Sequence, residues 1–200
     1  MSALVLASRS PRRAALLDAA GIAYEVLNLP EVDETPPVGV GPREVVTQLA
    51  ERKIRVAALL APGRRILCAD TLVFLEGRVL GKPADAAEAR AMLEALSGSS
   101  HEVVTGVAVC GAPDGGRTRI LVDAAGTKVR FRTLLTAEIE AYVASGEPLD
   151  KAGAYGIQGG AAGFVAALEG EIDAVIGLPV QLVRRLLGEL AMPGPGTPGD

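Results

Sequence analysis

Tryptophan is absent from this 200-residue chain, and only 3% of its residues are aromatic. So few rings leave little for bases to stack on, which argues against a single-stranded nucleic-acid surface. The two cysteines, Cys68 and Cys110, each sit inside an apolar run. They cannot build a disulfide framework, and they read as core residues in a reducing compartment. One histidine, His101, does not supply a Cys/His zinc centre. It sits at a strand start without a nucleophile elbow, so it reads as structural rather than as part of a Ser-His-Asp triad. There is no Gly-x-x-x-x-Gly-Lys-Ser/Thr loop of a Walker-type NTPase. The Gly-x-Gly-x-x-Gly run of a dinucleotide fold is also missing after the first strand. No apolar run approaches the ~18 residues of a membrane span. The N-terminal apolar stretch is short and its charges follow it, unlike a secretory leader. The expectation is a soluble, cytoplasmic protein. The net charge of −4, from 20 Lys+Arg against 24 Asp+Glu, disfavours nucleic acid or an anionic membrane as partner. A small anion held by a few local cations stays open.

What is present is a 49% hydrophobic chain whose apolar fraction is mostly small residues. Its length suffices to bury about 70% of the unfolded surface. Residues 1–191 read as one domain, and the Pro/Gly-rich tail 192–200 as disordered. The pattern predicts strands at 3–8, 23–29, 65–75 and 78–81, with helices at 11–20, 43–60 and 85–96. Further strands are expected at 102–110 and 117–132, separated by the turn Ala112–Gly116. A helix at 136–145 precedes a glycine-rich loop over 146–163. Short strands at 164–168 and 173–177 lead into a last helix at 179–190. Interleaved helices and strands with one antiparallel central hairpin make this an α/β protein with a mixed sheet.

Four segments carry candidate chemistry. In Ser8-Arg9-Ser10-Pro11-Arg12-Arg13 a short strand runs into a helix start, with Ser10 as N-cap and Pro11 at the first helical position. Cations are disfavoured there by ~0.3–1 kcal/mol each, and an anion offsets that cost. Free N–H groups, the Ser8 and Ser10 hydroxyls and two guanidinium forks describe a phosphate cradle; the plain alternative is two solvated arginines. In Cys68-Ala69-Asp70-Thr71 an aspartate interrupts an apolar strand, and a buried carboxylate needs a cation. If Glu76-Gly77 is a two-residue turn, Leu75 pairs with Arg78 and Thr71 falls opposite Lys82. A bulge at Gly77 would instead set Asp70 opposite Lys82. Either way Lys82 is expected close to Asp70, as a hairpin-fixing pair or as a phosphate ligand beside a metal-holding carboxylate. The acidic loop Glu31-Val32-Asp33-Glu34 could hold Mg²⁺ or Mn²⁺, or be solvated. The loop 146–160 carries glycines that allow close backbone approach, and Gln158, whose amide can read a base edge.

Together these segments, with Gly81-Lys82-Pro83, Asp150–Gly159 and Gly177-Leu178-Pro179, resemble the Maf family of nucleotide pyrophosphatases from Leu4 to about Leu190. The resemblance implies an inosine-triphosphatase-like mixed α/β fold with two lobes and a cleft. It implies hydrolysis of a nucleoside triphosphate to monophosphate and pyrophosphate with a divalent metal, Mg²⁺ or Mn²⁺. By the same resemblance Asp70 is the catalytic base and, with Glu34, a metal ligand. Arg12, Arg13, Lys53 and Lys82 lie on phosphates, and Arg13, Thr71 and Gln158 mark base specificity. The Ala-Gly-Ala-Tyr-Gly-Ile-Gln-Gly segment is similar to that of the dTTP/UTP branch rather than the 7-methyl-GTP branch. A homodimer is in keeping with the family. Arg9 departs from the small residue common at its position. The competing reading is a nucleotide-sensing regulator of cell division that binds without turnover.

Overall fold

The computed structural model describes residues 3–111 and 118–192. The expected turn at 112–116 and the tail at 193–200 lie outside the described residues. In chain order the elements are strand β1 (Leu4–Leu6), helix α1 (Pro11–Ala19), β2 (Tyr24–Val26), α2 (Pro42–Leu60), β3 (Ile66–Leu75) and β4 (Arg78–Leu80). They continue with α3 (Ala86–Leu96), β5 (Ser100–Cys110), β6 (Ile120–Phe131), α4 (Thr136–Ala144), β7 (Val165–Glu169), α5 (Ile172–Ile176) and α6 (Val180–Ala191). Three 3-10 turns, Glu147–Asp150, Ala152–Ala154 and Gly160–Phe164, precede β7. The strands form one sheet in the order β2-β1-β3-β5-β6-β7, with β4 added on β3. β1 runs parallel to β2 and β3, while β3–β4 and β6–β7 are antiparallel. The mixed α/β class read from the pattern is therefore the observed one.

The chain divides into two compact units. The first comprises Met1–Asp70, Gly106–Ala124 and Leu178–Asp200. Its core joins Val5 on β1 and Ala7 just past it, Ile66 and Cys68 on β3, Ala108 and Cys110 on β5, and Ala50, Ile54 and Ala57 on α2. Helix α2 begins at Pro42, whose lack of an N–H suits a first turn. Val46, Leu49, Ala50, Ile54 and Ala57 form its buried stripe. A Cβ at Gly106 would stand 2.2 Å from the Val46 carbonyl oxygen, so only glycine lets α2 approach the strand there. Burial pushes the Cys68 thiol up to about 12 and the Cys110 thiol up to about 11. Both are core residues, as the sequence suggested.

The second unit comprises Thr71–Thr105 and Ala125–Gly177. Its core packs Val73, Leu93, Leu96, Val103, Val129 and Phe131 with the loop residues Tyr155 and Phe164. The β3–β4 hairpin pairs Leu75 with Arg78 and Val73 with Leu80. Glu76 and Gly77 both have positive φ, as a two-residue hairpin turn requires. The bulged register at Gly77 does not occur. The stretch 173–177, expected as a strand, is helix α5 instead. Short apolar runs do not separate strand from helix by period. Here Gly170 (φ +128°) and Gly177 (φ +126°) bracket the run. Thr127 and Thr105 hydroxyls donate to the Glu171 and Ala174 carbonyls at 2.8 and 2.7 Å, supplying the partners a ladder would have provided.

His101 lies in this core, 3% exposed, with Nε2 2.8 Å from the Tyr155 hydroxyl and its ring edge-on to Phe131. Its Nδ1 is buried with no hydrogen-bond partner among the described residues, so a second ring proton would go unsolvated. Burial holds its pKa down at about 4, against 6.5 ordinarily. Between these values the unfolded chain binds the extra proton and the folded chain does not. Stability is therefore full above pH 6.5, falls as pH drops, and levels off below pH 4, by about 3 kcal/mol in all. Denaturant titrations from pH 4 to 8 check this, and His101→Phe is expected to flatten that part of the profile.

Candidate active site

Ser10 caps α1 as the sequence suggested: its hydroxyl accepts from the Arg13 N–H at 3.4 Å. Ser8 Oγ accepts from the Ser10 N–H at 3.2 Å and from Arg13 Nη1 at 3.3 Å. Arg13 is thereby folded back across the helix start. Burial draws its pKa below the ordinary value; Asp70 and Cys68 push it back up, Arg12 lowers it and Glu34 raises it. A guanidinium remains charged at neutral pH. Arg9 is exposed.

Asp70 ends the stretch of β3 that belongs to the first unit, and it is 6% exposed. Its cation is Lys53 of α2, whose Nζ donates to Asp70 Oδ1. Lys53 Nζ also lies 2.7 Å from Glu34 Oε1. One ammonium thus joins the acidic loop to the strand. The loop is held on α2 by Arg52 Nη1, which donates to the Thr35 carbonyl at 2.9 Å and lies 3.4 Å from Asp33 Oδ2. Asp33 accepts from the Thr35 N–H at 2.9 Å, and hydrogen bonding to the Thr35 side chain and then to its backbone lowers the Asp33 pKa.

The cation observed on Asp70 is Lys53, where hairpin counting offers Lys82. The ladder of β4 ends at Leu80, before Lys82, and the side chain on Asp70 comes from Lys53. Hairpin counting could not see a helix that packs on the strand. The sequence signal was present nonetheless. Lys53 falls among Val46, Leu49, Ala50 and Ala57, at three- and four-residue spacing, inside the apolar stripe of α2.

The second unit carries Thr71, Lys82 and Gln158. Thr105 donates its hydroxyl proton to the Ala174 carbonyl at 2.7 Å. The 2.9 Å contact between the Thr71 and Thr105 hydroxyls must then be Thr71 donating to Thr105. Thr71 can only accept from any further partner. Lys82 is exposed, and the Gly81 carbonyl beside it accepts from the Gly153 N–H at 3.0 Å. Gly153 has φ +68°, and a Cβ there would press to 2.8 Å on Val73, so glycine is required by both conformation and space. The glycine-rich loop is a chain of 3-10 turns packed on Val73, Tyr142 and Phe164. Gln158 is exposed at its tip.

Two carboxylates sharing one ammonium also suit a divalent cation, which is commonly held by one or two carboxylates plus substrate phosphates. Among the described residues no group of three or more His, Cys, Asp or Glu side chains gathers. Glu34 and Asp70 would suit a metal that arrives with phosphate. No helix among the described residues is long and apolar enough to cross a membrane.

The family model described as Maf-like protein matches residues 3–190. The chain belongs to the Maf-like family. A Maf-like relative from Citrifermentans bemidjiense, named dTTP/UTP pyrophosphatase, is 50% identical over 179 residues, covering 90% of this chain and 91% of the relative. One of the same name from Anaeromyxobacter sp. is 48% identical over 201 residues, covering 98% and 96%. The solved Ham1 protein of Staphylococcus aureus matches 94% of this chain and all of its own length, at 14% identity and a TM-score of 0.48. Sequence reasoning on this Maf-like chain missed three supporting residues: Thr105, Tyr142 and Glu147. A threonine inside an otherwise apolar strand was the readable sign for the first.

Proposed function

We propose that this chain is a nucleoside triphosphate pyrophosphatase that converts dTTP and UTP to the monophosphate and pyrophosphate. One observation carries the reading: a helix start built from Ser8, Ser10 and two arginines lies in the same unit as the Glu34–Lys53–Asp70 constellation. Cleaving a phosphoanhydride needs charge neutralisation and an in-line water more than covalent help. Arg12, Arg13 and Lys53 of the first unit supply cations for the phosphates, and the N–H groups at the start of α1 add donors. Water adds to the phosphorus as its bond to the bridging oxygen breaks. Asp70 takes the water's proton, and pyrophosphate leaves with the bridging oxygen. Mg²⁺ or Mn²⁺ on Asp70 and Glu34 would add Lewis-acid polarisation when bound.

The base assignment draws support from Thr71. Its hydroxyl acts as an acceptor, which suits the N3–H of thymine or uracil and not the N3 lone pair of cytosine. Gln158 brings a donor and an acceptor. The names of the close relatives agree.

Pyrophosphate release from dTTP, UTP, CTP, GTP and 7-methyl-GTP, with Mg²⁺ or Mn²⁺, tests the reading. Turnover of dTTP and UTP is expected, with CTP at least about tenfold poorer in kcat/KM because a polar pocket rejects a mismatched edge. Activity confined to 7-methyl-GTP would overturn the base assignment. Tight binding without product would leave only a sensor.

A further inference from the structure

Gln158 is exposed, yet the turn that carries it is held at both ends by one carboxylate and one phenol. The Gly159 N–H donates to the Gly156 carbonyl at 3.1 Å and closes the turn. At one end the Gly156 N–H donates to Tyr142 Oη at 3.0 Å. At the other the Gly160 N–H donates to Glu147 Oε2 at 3.0 Å. The clamp closes on itself, because the Tyr142 hydroxyl donates to Glu147 Oε1 at 3.1 Å.

Glu147 also fills the space of side chains the turn does not have. A Cβ at Gly159 would stand 2.0 Å from Glu147 Oε1, and one at Gly156 would stand 2.9 Å from it. The carboxylate is seated under the turn, in contact that only glycines permit. Its own backbone is fixed in turn. The Glu147 N–H donates to Ser145 Oγ at 3.2 Å, and its carbonyl accepts from Lys151 Nζ at 3.1 Å. Tyr142 is buried edge-on against Phe164, with ring centroids 5.3 Å apart. Helix α4 and the core thus transmit a fixed position to an exposed glutamine.

We propose that Glu147, with Tyr142, is a positioning residue for nucleobase selection: its carboxylate locks the Gly156–Gly160 turn so that Gln158 meets the base in one orientation. The proposal rests on the substrate assignment above and deepens it. A held amide discriminates donor from acceptor edges, whereas a free-swinging one flips to suit either.

The test compares the unmodified protein with Glu147→Ala, Glu147→Gln and Tyr142→Phe. Three quantities are read: kcat and KM for UTP and CTP, Kd for their non-hydrolysable α,β-methylene analogues, and the inhibition constant of base-free inorganic tripolyphosphate. Glu147→Ala is expected to raise the UTP KM about tenfold and to cut the UTP:CTP preference about fivefold or more, as loss of one or two charge-assisted hydrogen bonds allows. Saturating kcat and tripolyphosphate inhibition are expected to stay within about twofold, because the phosphate groups are untouched. Glu147→Gln, which keeps an acceptor for Gly160, is expected to retain most of the preference. Tyr142→Phe removes a single oxygen, and its preference is expected to fall as well. It keeps the test decisive where the alanine variant does not fold.

A preference that survives in folded Glu147→Ala or Tyr142→Phe overturns the proposal. So does an equal loss for UTP, CTP and tripolyphosphate, which marks a merely structural role. Failure of the substrate assignment reads differently: the unmodified protein then releases no pyrophosphate, while the analogue Kd ratio still reports on the clamp.

Discussion

Asp70→Asn is expected to lower pyrophosphate release from UTP roughly 10²–10⁴-fold, the usual contribution of a positioned general base. The substitution keeps the shape of the side chain, so the far-UV CD spectrum and a cooperative unfolding transition are expected to persist. Asp70 is buried at the end of its apolar stretch and faces two cations at once, Lys53 by direct hydrogen bond and Arg13 through the field. An amide satisfies neither charge and takes no proton from water. UTP binding is expected to change far less than turnover, because Arg12 and Arg13, which the proposed function sets on the phosphates, remain. Single-turnover assays separate the two. A variant that retains full turnover would remove Asp70 from the mechanism.

Lys53→Met is expected to damage both activity and stability. The ammonium contacts both Glu34 and Asp70, and its side chain is only 12% exposed. Removing it leaves a buried carboxylate without its hydrogen-bonded cation, a loss of about 3 kcal/mol in unfolding free energy. Turnover is expected to fall roughly 10²-fold, as when one preorganised donor is taken from a developing anion. Adding Asp70→Asn to Lys53→Met is expected to restore about 1–3 kcal/mol, since the second change removes the charge that the first one stranded. Equilibrium denaturation of the two single variants and the double variant measures that coupling. Strict additivity would mean that the pair contributes nothing to the fold.

Much of the site was legible because it is local. The Ser10 cap, Pro11 and the two first-turn arginines act within a few residues of one another, and the structure places them as the sequence suggested. Of the two registers the sequence left open for the β3–β4 hairpin, the structure has the one a two-residue turn gives. Local patterning was ambiguous at 173–177, where one helical turn and a short strand bury similar residues. Flanking glycines and threonine hydroxyls from distant strands decided in favour of α5. The loop over 146–163 was legible as glycine-rich but not as ordered. Its order comes from Tyr142, Glu147 and Phe164, none of which shows a periodic signal.

The amino-acid sequence by itself determined the family, the α/β class, the apolar stripes of the helices and the serine-capped, arginine-bearing start of α1. Each depends on propensity, spacing and side-chain chemistry that act over a turn or two of chain. Only the tertiary structure decided which cation serves Asp70, which way the Thr71 hydroxyl points, and what holds Gln158. Those outcomes depend on where α2 packs against β3, on an acceptor carbonyl in α5, and on a carboxylate seated where two glycines leave room. Packing brings such groups together across many residues of separation, and no local pattern in the chain encodes that distance.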